Sequence, residues 1–428
     1  MRELILTAFA LMVAATQAVA QQSQKPNVVF ILADNVGYGD LGPYGGGELR
    51  GAPTPRIDQL AREGLRLTQF LVEPACSPSR AALMTGRYSI REGLSLILVP
   101  GGPNTLSARA VTMGELFKSA GYATAIFGKW HLGKDPHSLP TTHGFDEYYG
   151  IPPDMTWDSA TYVDKIELTH SLSAPRDVLL ARGPQIVEAV AGGELHNVKP
   201  FTPEVRAEID NELVAKSIDF MRRQTTARKP FFLYLPFSMG HIPNLPSSQF
   251  KGKSRIGNYG DKLMEGDYHV GQILDAIVDL GIEQNTVVVF SSDNGPEFRR
   301  PWQGTAGFWR GTYHTALEGS LRAPFIIRWP GKIHPGVSND IVHAVDMFTT
   351  LAKLGGAEIP KDRPIDGIDQ MDFFLGKQAA SGREGFLVYI YSELYAVKWR
   401  NWKYHLIWLD DMAKTPAQLP VPYLFNLL

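Results

Sequence analysis

Asn27-Val28-Val29-Phe30-Ile31-Leu32, running at once into Ala33-Asp34, is the stretch on which the fold class turns. A continuous apolar run rich in β-branched residues leaves no face for water. It reads as a strand buried on both sides, as in a parallel sheet covered by helices. Thr286-Val287-Val288-Val289-Phe290 repeats the pattern and again leads to an aspartate, Asp293. Residues 123–127, 231–236 and 325–329 read as further strands of the same kind. Helix patterns lie between them. Thr54-Pro55 opens one, with Ile57, Leu60 and Ala61 apolar and Gly64 as its stop. Thr112-Met113-Gly114-Glu115 is a capping box for a helix ending near Gly121. Thr202-Pro203 starts a long helix reaching to about Arg223. Leu263, Val270, Ile273, Leu274 and Ile277 mark one face of another, from about Lys262 to Leu280. Strands alternating with helices predict an α/β fold with a large, mostly parallel central sheet flanked by helices. Such sheets bind ligands beyond the carboxyl ends of their strands, where Asp34 and Asp293 stand.

Working outward, the pattern changes after about residue 331. Residues 386–391, 395–399 and 402–408 read as antiparallel strands of a smaller C-terminal β-rich unit, giving domains at 26–330 and 331–428. Residues 151–200 lack periodicity and are expected to form long loops over one face. Residues 1–20 stand apart from the fold. Arg2, the apolar run from Leu4 to Ala15 and the small-residue Ala18-Val19-Ala20 before Gln21 make a cleavable signal peptide. An uncleaved anchor is the alternative, but the run is short for a membrane span. The mature protein is therefore expected to be exported, periplasmic or secreted, without stable membrane insertion. A chain that is 44% hydrophobic and 20% charged is neither disordered nor a coiled coil. A net charge of −2 disfavours a nucleic-acid partner. One cysteine excludes an intrachain disulfide and a cysteine-based zinc site.

That cysteine opens the segment Cys76-Ser77-Pro78-Ser79-Arg80, followed by Ala81-Ala82-Leu83-Met84, a short helix with Pro78 near its start. A free cysteine is most often a buried, inert small residue. At a helix N-terminus beside an arginine it is instead an activated group, because free N–H groups and the positive dipole end favour an anion there.

Cys76-x-Pro78-Ser79-Arg80, continuing to Thr85-Gly86-Arg87, resembles the signature of the sulfatases. Other segments are similar to the family's motifs: Ala33-Asp34-Asn35-Val36-Gly37, Gly128-Lys129-Trp130-His131, Ser238-Met239-Gly240-His241 and Ser291-Ser292-Asp293-Asn294-Gly295-Pro296. The likeness is tight over 27–150 and 286–330 and loose over 151–200. It implies a fold like that of the alkaline-phosphatase superfamily, with 26–330 as the catalytic domain. It also implies that a formylglycine-generating enzyme oxidises Cys76 to formylglycine during maturation. One hydroxyl of the aldehyde hydrate then attacks sulfur and expels the alcohol. The second drives off sulfate by re-forming the aldehyde. The substrate would be a sulfated small molecule or glycan. Arg80, Lys129, His131 and His241 would join Cys76 as catalytic residues, with His241 protonating or holding the leaving oxygen.

Asp34, Asn35, Asp293 and Asn294 offer oxygen ligands, which suit a hard cation, Ca²⁺ or Mg²⁺, with residue 76 as a further ligand. Alone, an Asp-Asn pair is more often a turn or a cap. Two such pairs at the ends of buried strands, flanking a full signature, point to metal.

Two positions depart from the family. Asn35 stands where a second aspartate is common, which removes one negative charge. In Glu318-Gly319-Ser320-Leu321-Arg322, the lysine expected five residues before the glutamate is Tyr313, with His314 beside it as a weaker sulfate contact. Phe298-Arg299-Arg300-Pro301-Trp302 with Phe308, Trp309 and Arg310 reads either as a pocket rim that stacks an aryl or sugar group or as an ordinary hydrophobic loop anchor. Family members continue past the position of Leu428, so the C-terminal unit is expected to be truncated or to lack its last element. Two rival functions remain open: a phosphonate or phosphodiester hydrolase sharing the cysteine signature, and a non-catalytic sulfate-ester-binding protein in which Cys76 stays a thiol.

Overall fold

The computed structural model describes residues 25–98, 104–152, 183–299 and 302–428. The signal segment and Arg300-Pro301 lie outside the described residues. In chain order the principal elements are β1 (Asn27–Ala33), α1 (Pro55–Glu63), β2 (Leu65–Leu71), α2 (Cys76–Thr85), α3 (Met113–Ser119), β3 (Ala123–Lys129), β4 (Glu147–Ile151), β5 (Gln185–Val190) and β6 (His196–Pro200). They continue with α4 (Pro203–Thr226), β7 (Phe231–Pro236), α5 (Gly257–Asp279), β8 (Thr286–Ser292), the two-residue pair β9 (Phe298–Arg299) and β10 (Trp302–Gln303), α6 (Glu318–Leu321) and β11 (Phe325–Arg328). Last come β12 (Gly336–His343), α7 (Ala344–Gly355), α8 (Met371–Phe374), β13 (Gly385–Ile390), β14 (Glu393–Trp399), β15 (Trp402–Trp408) and β16 (Ala417–Asn426).

Ten strands form one sheet in the order β12-β2-β11-β8-β1-β7-β3-β4-β5-β6. Its centre, β8-β1-β7-β3-β4, is parallel throughout. β11 runs antiparallel between β8 and β2. Alternate residues of β1 explain the three layers. Val28, Phe30 and Leu32 pack with α2, α3 and α7, whereas Val29, Ile31 and Ala33 pack with α1, α4 and α5. Every residue of β1, β3, β7 and β8 is buried, as continuous apolar runs require. Among the described residues, no helix is long and apolar enough to cross a membrane.

Two regions differ from the reading of the sequence. Within the stretch expected to be loops, β5 and β6 extend the sheet as antiparallel strands. Beyond residue 331, β12 first adds to the large sheet, parallel to β2, and α7 packs on α2. The separate antiparallel sheet, β13-β14-β15-β16, begins only at Gly385. Its inner face, with Phe386, Val388, Ile390, Tyr395 and Ile407, packs on Leu71, Leu321 and Ile341 of the large unit.

Candidate active site

The carboxyl ends of four neighbouring strands supply the site. Asp34 and Asn35 follow β1, Asp293 and Asn294 follow β8, Lys129 ends β3, and His241 lies on the turn after β7. Parallel pairing puts Ala33 beside Ser292 and so brings the two Asp-Asn pairs together. The backbone N–H groups of Asp34 and Asp293 donate to Met239 O and Ala33 O, which ties the loops to one another. Gly240 has φ 91°, and a Cβ there would lie 2.4 Å from Asp34 O, so only glycine allows the His241 turn this close. Asn35, His131 and His314 take left-handed backbone at φ 58°, 60° and 61°. Non-glycine residues held there mark sites whose geometry is imposed by their surroundings.

Cys76 is the first residue of α2, and every residue of that helix is buried. Its Sγ is 3.5 Å from Asp34 Oδ1, 3.4 Å from Asn35 Oδ1 and 3.8 Å from the Tyr313 hydroxyl. One turn on, Arg80 is 1% exposed and clamps the carboxylates. Its Nε donates to Asp293 Oδ2 at 3.0 Å, one terminal nitrogen to Asp34 Oδ2 at 3.1 Å and the other to Lys129 O at 2.9 Å. Lys129 Nζ donates to Asp34 Oδ2 at 2.7 Å. Burial alone raises the pKa of Asp34, but Lys129, His241 and Arg80 outweigh it and hold the carboxyl well below its usual range. Burial and the charge of Asp34 push Asp293 up against the pull of Arg80 and Lys129. Arg80 and Lys129 match the two carboxylates in number, yet burial leaves Asp293 raised, so a further cation beside it is favourable.

The fit to a hard cation rests on the donors present. Asn35 Oδ1 accepts from Asn294 Nδ2 at 2.6 Å, and the fully buried Asn294 Oδ1 has no hydrogen-bond partner. Such an orphaned oxygen beside two carboxylates is what an oxygen-ligated ion satisfies. Asp34, Cys76 and His241 also bring three ligand atoms within 4.8 Å of one another.

His241 Nδ1 lies 2.6 Å from Ile242 O. A carbonyl only accepts, so Nδ1 carries the hydrogen and Nε2 is the nitrogen available for proton exchange. The turn is held from behind by Arg206 of α4. Its Nε donates to Pro243 O at 2.9 Å, and one terminal nitrogen donates to His241 O at 3.1 Å and to Ile242 O at 2.9 Å. Asp210, one turn along α4, accepts from the N–H and hydroxyl of Ser238. Neither residue stood out in the sequence. Their signal was two charges in phase with Ile209, Leu213 and Phe220 on the apolar stripe of α4.

The remaining expected contacts divide. His131 Nε2 meets Leu98 O at 2.9 Å. Tyr313, in the lysine's place, reaches Cys76, while the ring of His314 packs edge-on against Tyr391 at 5.4 Å. Burial lowers the pKa of His314 and keeps it neutral. Phe298 and Phe308 are 65% and 76% exposed, whereas Trp309 lies under the Arg322 guanidinium at 3.8 Å. The first two are free to meet a ligand; Trp309 is an anchor.

A sequence model of the sulfatase family matches residues 26–357, and a model described as N-sulphoglucosamine sulphohydrolase, C-terminal, matches 310–407. The chain belongs to the sulfatase family and is a sulfuric ester hydrolase. It is 36% identical to arylsulfatase A of Bos taurus over 389 residues, covering 89% of this chain and 74% of that protein. It is also 36% identical to N-acetylgalactosamine-6-sulfatase of Canis lupus familiaris over 382 residues, covering 85% and 69%. Its fold superposes on the PsFucS1 sulfatase of Pseudoalteromonas sp. with a TM-score of 0.88 at 33% identity, covering 96% of this chain and 86% of the other.

Proposed function

We propose that the chain is exported, that Cys76 is oxidised to formylglycine by a formylglycine-generating enzyme, and that the mature protein cleaves sulfate esters of sugars or aryl alcohols with a bound Ca²⁺ or Mg²⁺. The observation that carries this reading is Cys76 at the first turn of a buried helix, with Asp34, Asn35 and Tyr313 around its sulfur. Asp34, Asn35, Asp293 and Asn294 hold the cation, which supplies positive charge to the sulfate oxygens. The oxidised residue 76 supplies the nucleophilic oxygen. Arg80 locks both carboxylates in place, and Lys129 fixes Asp34. The Tyr313 hydroxyl donates to the transferring group where an ammonium would otherwise stand. His241, protonated at Nε2, delivers a proton to the leaving oxygen, and the bond from Nδ1 to Ile242 O sets its tautomer. The names of the dog relative and of the C-terminal family model support a sulfated sugar as substrate.

The test compares 4-nitrophenyl sulfate with bis(4-nitrophenyl) phosphate, alongside the intact mass of residue 76. Formylglycine at 76 and preferential sulfate cleavage are expected. Cys76→Ala should lower kcat/KM by at least about 10³-fold, and chelation should remove an activity that Ca²⁺ or Mg²⁺ restores. Full activity in Cys76→Ala rules out the covalent route. Faster phosphodiester cleavage favours the rival hydrolase.

A further inference from the structure

A cleft of about 210 Å³ lies where the segment 309–318 meets β15 and β16. The rings of Trp309, Trp408 and Phe425 line it, together with three buried polar groups, Glu318, Lys403 and His405. Trp408 and Phe425 lie 6.0 Å apart, and His405 meets both edge-on at 5.2 and 5.8 Å. His405 is 2% exposed, and its Nδ1 has no hydrogen-bond partner. A buried polar atom left unpaired beside a cleft is an open position for a ligand group.

The charge around the cleft is positive. Glu318 is shared by Arg322 at 2.6 Å, Lys398 at 2.8 Å and Lys403 at 2.9 Å. One carboxylate cannot neutralise three cations. Burial lowers Lys398 to about 8 and lowers Lys403 as well, even against the pull of Glu318, so an added anion would restore charge that burial disfavours. At the exposed side, the Arg310 guanidinium stands 5.4 Å from the centre of the Trp408 ring and pairs with Asp410 at 3.1 Å, so the uncompensated charge is that of the Glu318 cluster. Aromatic walls suit the apolar faces of a sugar ring, and surplus cations suit an anionic substituent on it. A cationic guest is repelled by the same lysines. The volume falls below the roughly 300–1,000 Å³ of whole-ligand pockets, so it fits one ring of a longer molecule.

A short stretch of chain links the cleft to the site. Arg310 and Tyr313 are three residues apart, so their Cα atoms lie within about 11 Å, and the Tyr313 hydroxyl is 3.8 Å from Cys76 Sγ.

We propose that this cleft is a second saccharide subsite, which holds an anionic sugar unit of the same glycan whose sulfate ester is cleaved at residue 76. This rests on the reading of the site as one that acts on sulfate esters. The test measures calorimetric binding to the full chain carrying Cys76→Ala, which blocks turnover. The probes are carrageenan, fucoidan and chondroitin sulfate hexasaccharides, each with its sulfated monosaccharide and its desulfated counterpart. At least one sulfated hexasaccharide should bind about tenfold or more tightly than its monosaccharide. Trp408→Leu and Phe425→Ser should each remove most of that advantage and leave monosaccharide binding within about twofold. Circular dichroism and 4-nitrophenyl sulfate turnover of the same variants with Cys76 intact show whether each is folded, and a folded one decides. The proposal is overturned if no hexasaccharide outbinds its monosaccharide, if the advantage survives in a folded variant, or if the desulfated chain binds equally well. If wild type leaves 4-nitrophenyl sulfate intact, the reading of the site fails, while hexasaccharide binding still reports on the cleft.

Discussion

Two of the protein's buried charge clusters are balanced in different ways. Around Cys76, Asp34 and Asp293 face each other across Arg80, with Lys129 on one of them and an unpaired amide oxygen on Asn294. Around Glu318, one carboxylate serves Arg322, Lys398 and Lys403. The first cluster has acceptors to spare and is prepared for a cation. The second has donors to spare; it fastens β14 and β15 to α6 and leaves positive charge beside the aromatic cleft. Burial alone does not tell the two clusters apart. What is left over does: an unpaired acceptor in the first, uncompensated cations in the second.

The largest expected effect breaks the first cluster. Asp293→Asn should cost about 10³-fold in kcat/KM and release the cation in the same step. Folding stability, measured in urea on metal-free protein, should fall less than in Glu318→Gln below, because relief of the two facing carboxylates offsets the lost partner of Arg80. Cation retained through gel filtration at wild-type stoichiometry would contradict the ligand assignment.

His241→Ala comes next and separates the proton donor from the charge cradle. Esters with poor leaving groups should slow by about 10²-fold or more, and activated aryl sulfates far less. The measurement is kcat/KM across aryl sulfates of graded leaving-group pKa. Parallel slopes for wild type and variant would remove His241 from that role.

Glu318→Gln breaks the second cluster and should act on stability instead. Leaving three buried cations without their carboxylate should cost about 3–5 kcal/mol. Burial raises the pKa of Glu318, but Lys403, Lys398 and Arg322 outweigh it and hold it well below 4.5. Its contribution is therefore complete above the ordinary glutamate range and is lost only as pH falls below that range. In the variant Lys398 and Lys403 lose the carboxylate that raises their pKa, so the gap in urea midpoints between wild type and variant should grow as pH falls from 8 towards about 5 and shrink only in stronger acid, where Glu318 itself is protonated. A gap that already shrinks between pH 8 and about 5 would refute the assignment.

The smallest effect sharpens the comparison. Asn35→Asp adds one negative charge to the first cluster and should tighten Ca²⁺ binding about tenfold in a direct titration. Unchanged affinity would mean that the neutral amide is not what sets it.

Much of this was legible in the sequence because it depends on local order. β1, β3, β7 and β8 are continuous apolar runs, and Asp34 and Asp293 end two of them. β5 and β6 were not legible. β5 mixes buried and exposed residues without a period of two, β6 is exposed or half-buried, and neither has a long apolar run. β12 escaped because residues 336–340 are mostly exposed and only 341–343 are buried. Tyr313 was noticed as a missing lysine, yet only the fold shows its hydroxyl at Cys76. Arg206 and Asp210 act on a turn some thirty residues away, which a helical pattern alone cannot reveal.

The pairing of β1 with β8 also sets an order of events. Asn27 and Thr286 meet across a separation of 259 residues. Closing so long a loop is slow, and most of the chain must be made before it can close. Once closed, it leaves Cys76 1% exposed beneath the strand ends. An enzyme that oxidised this cysteine would therefore work against a clock: its opportunity would be the interval in which residues 76–87 exist as open chain, and docking of β8 would end it.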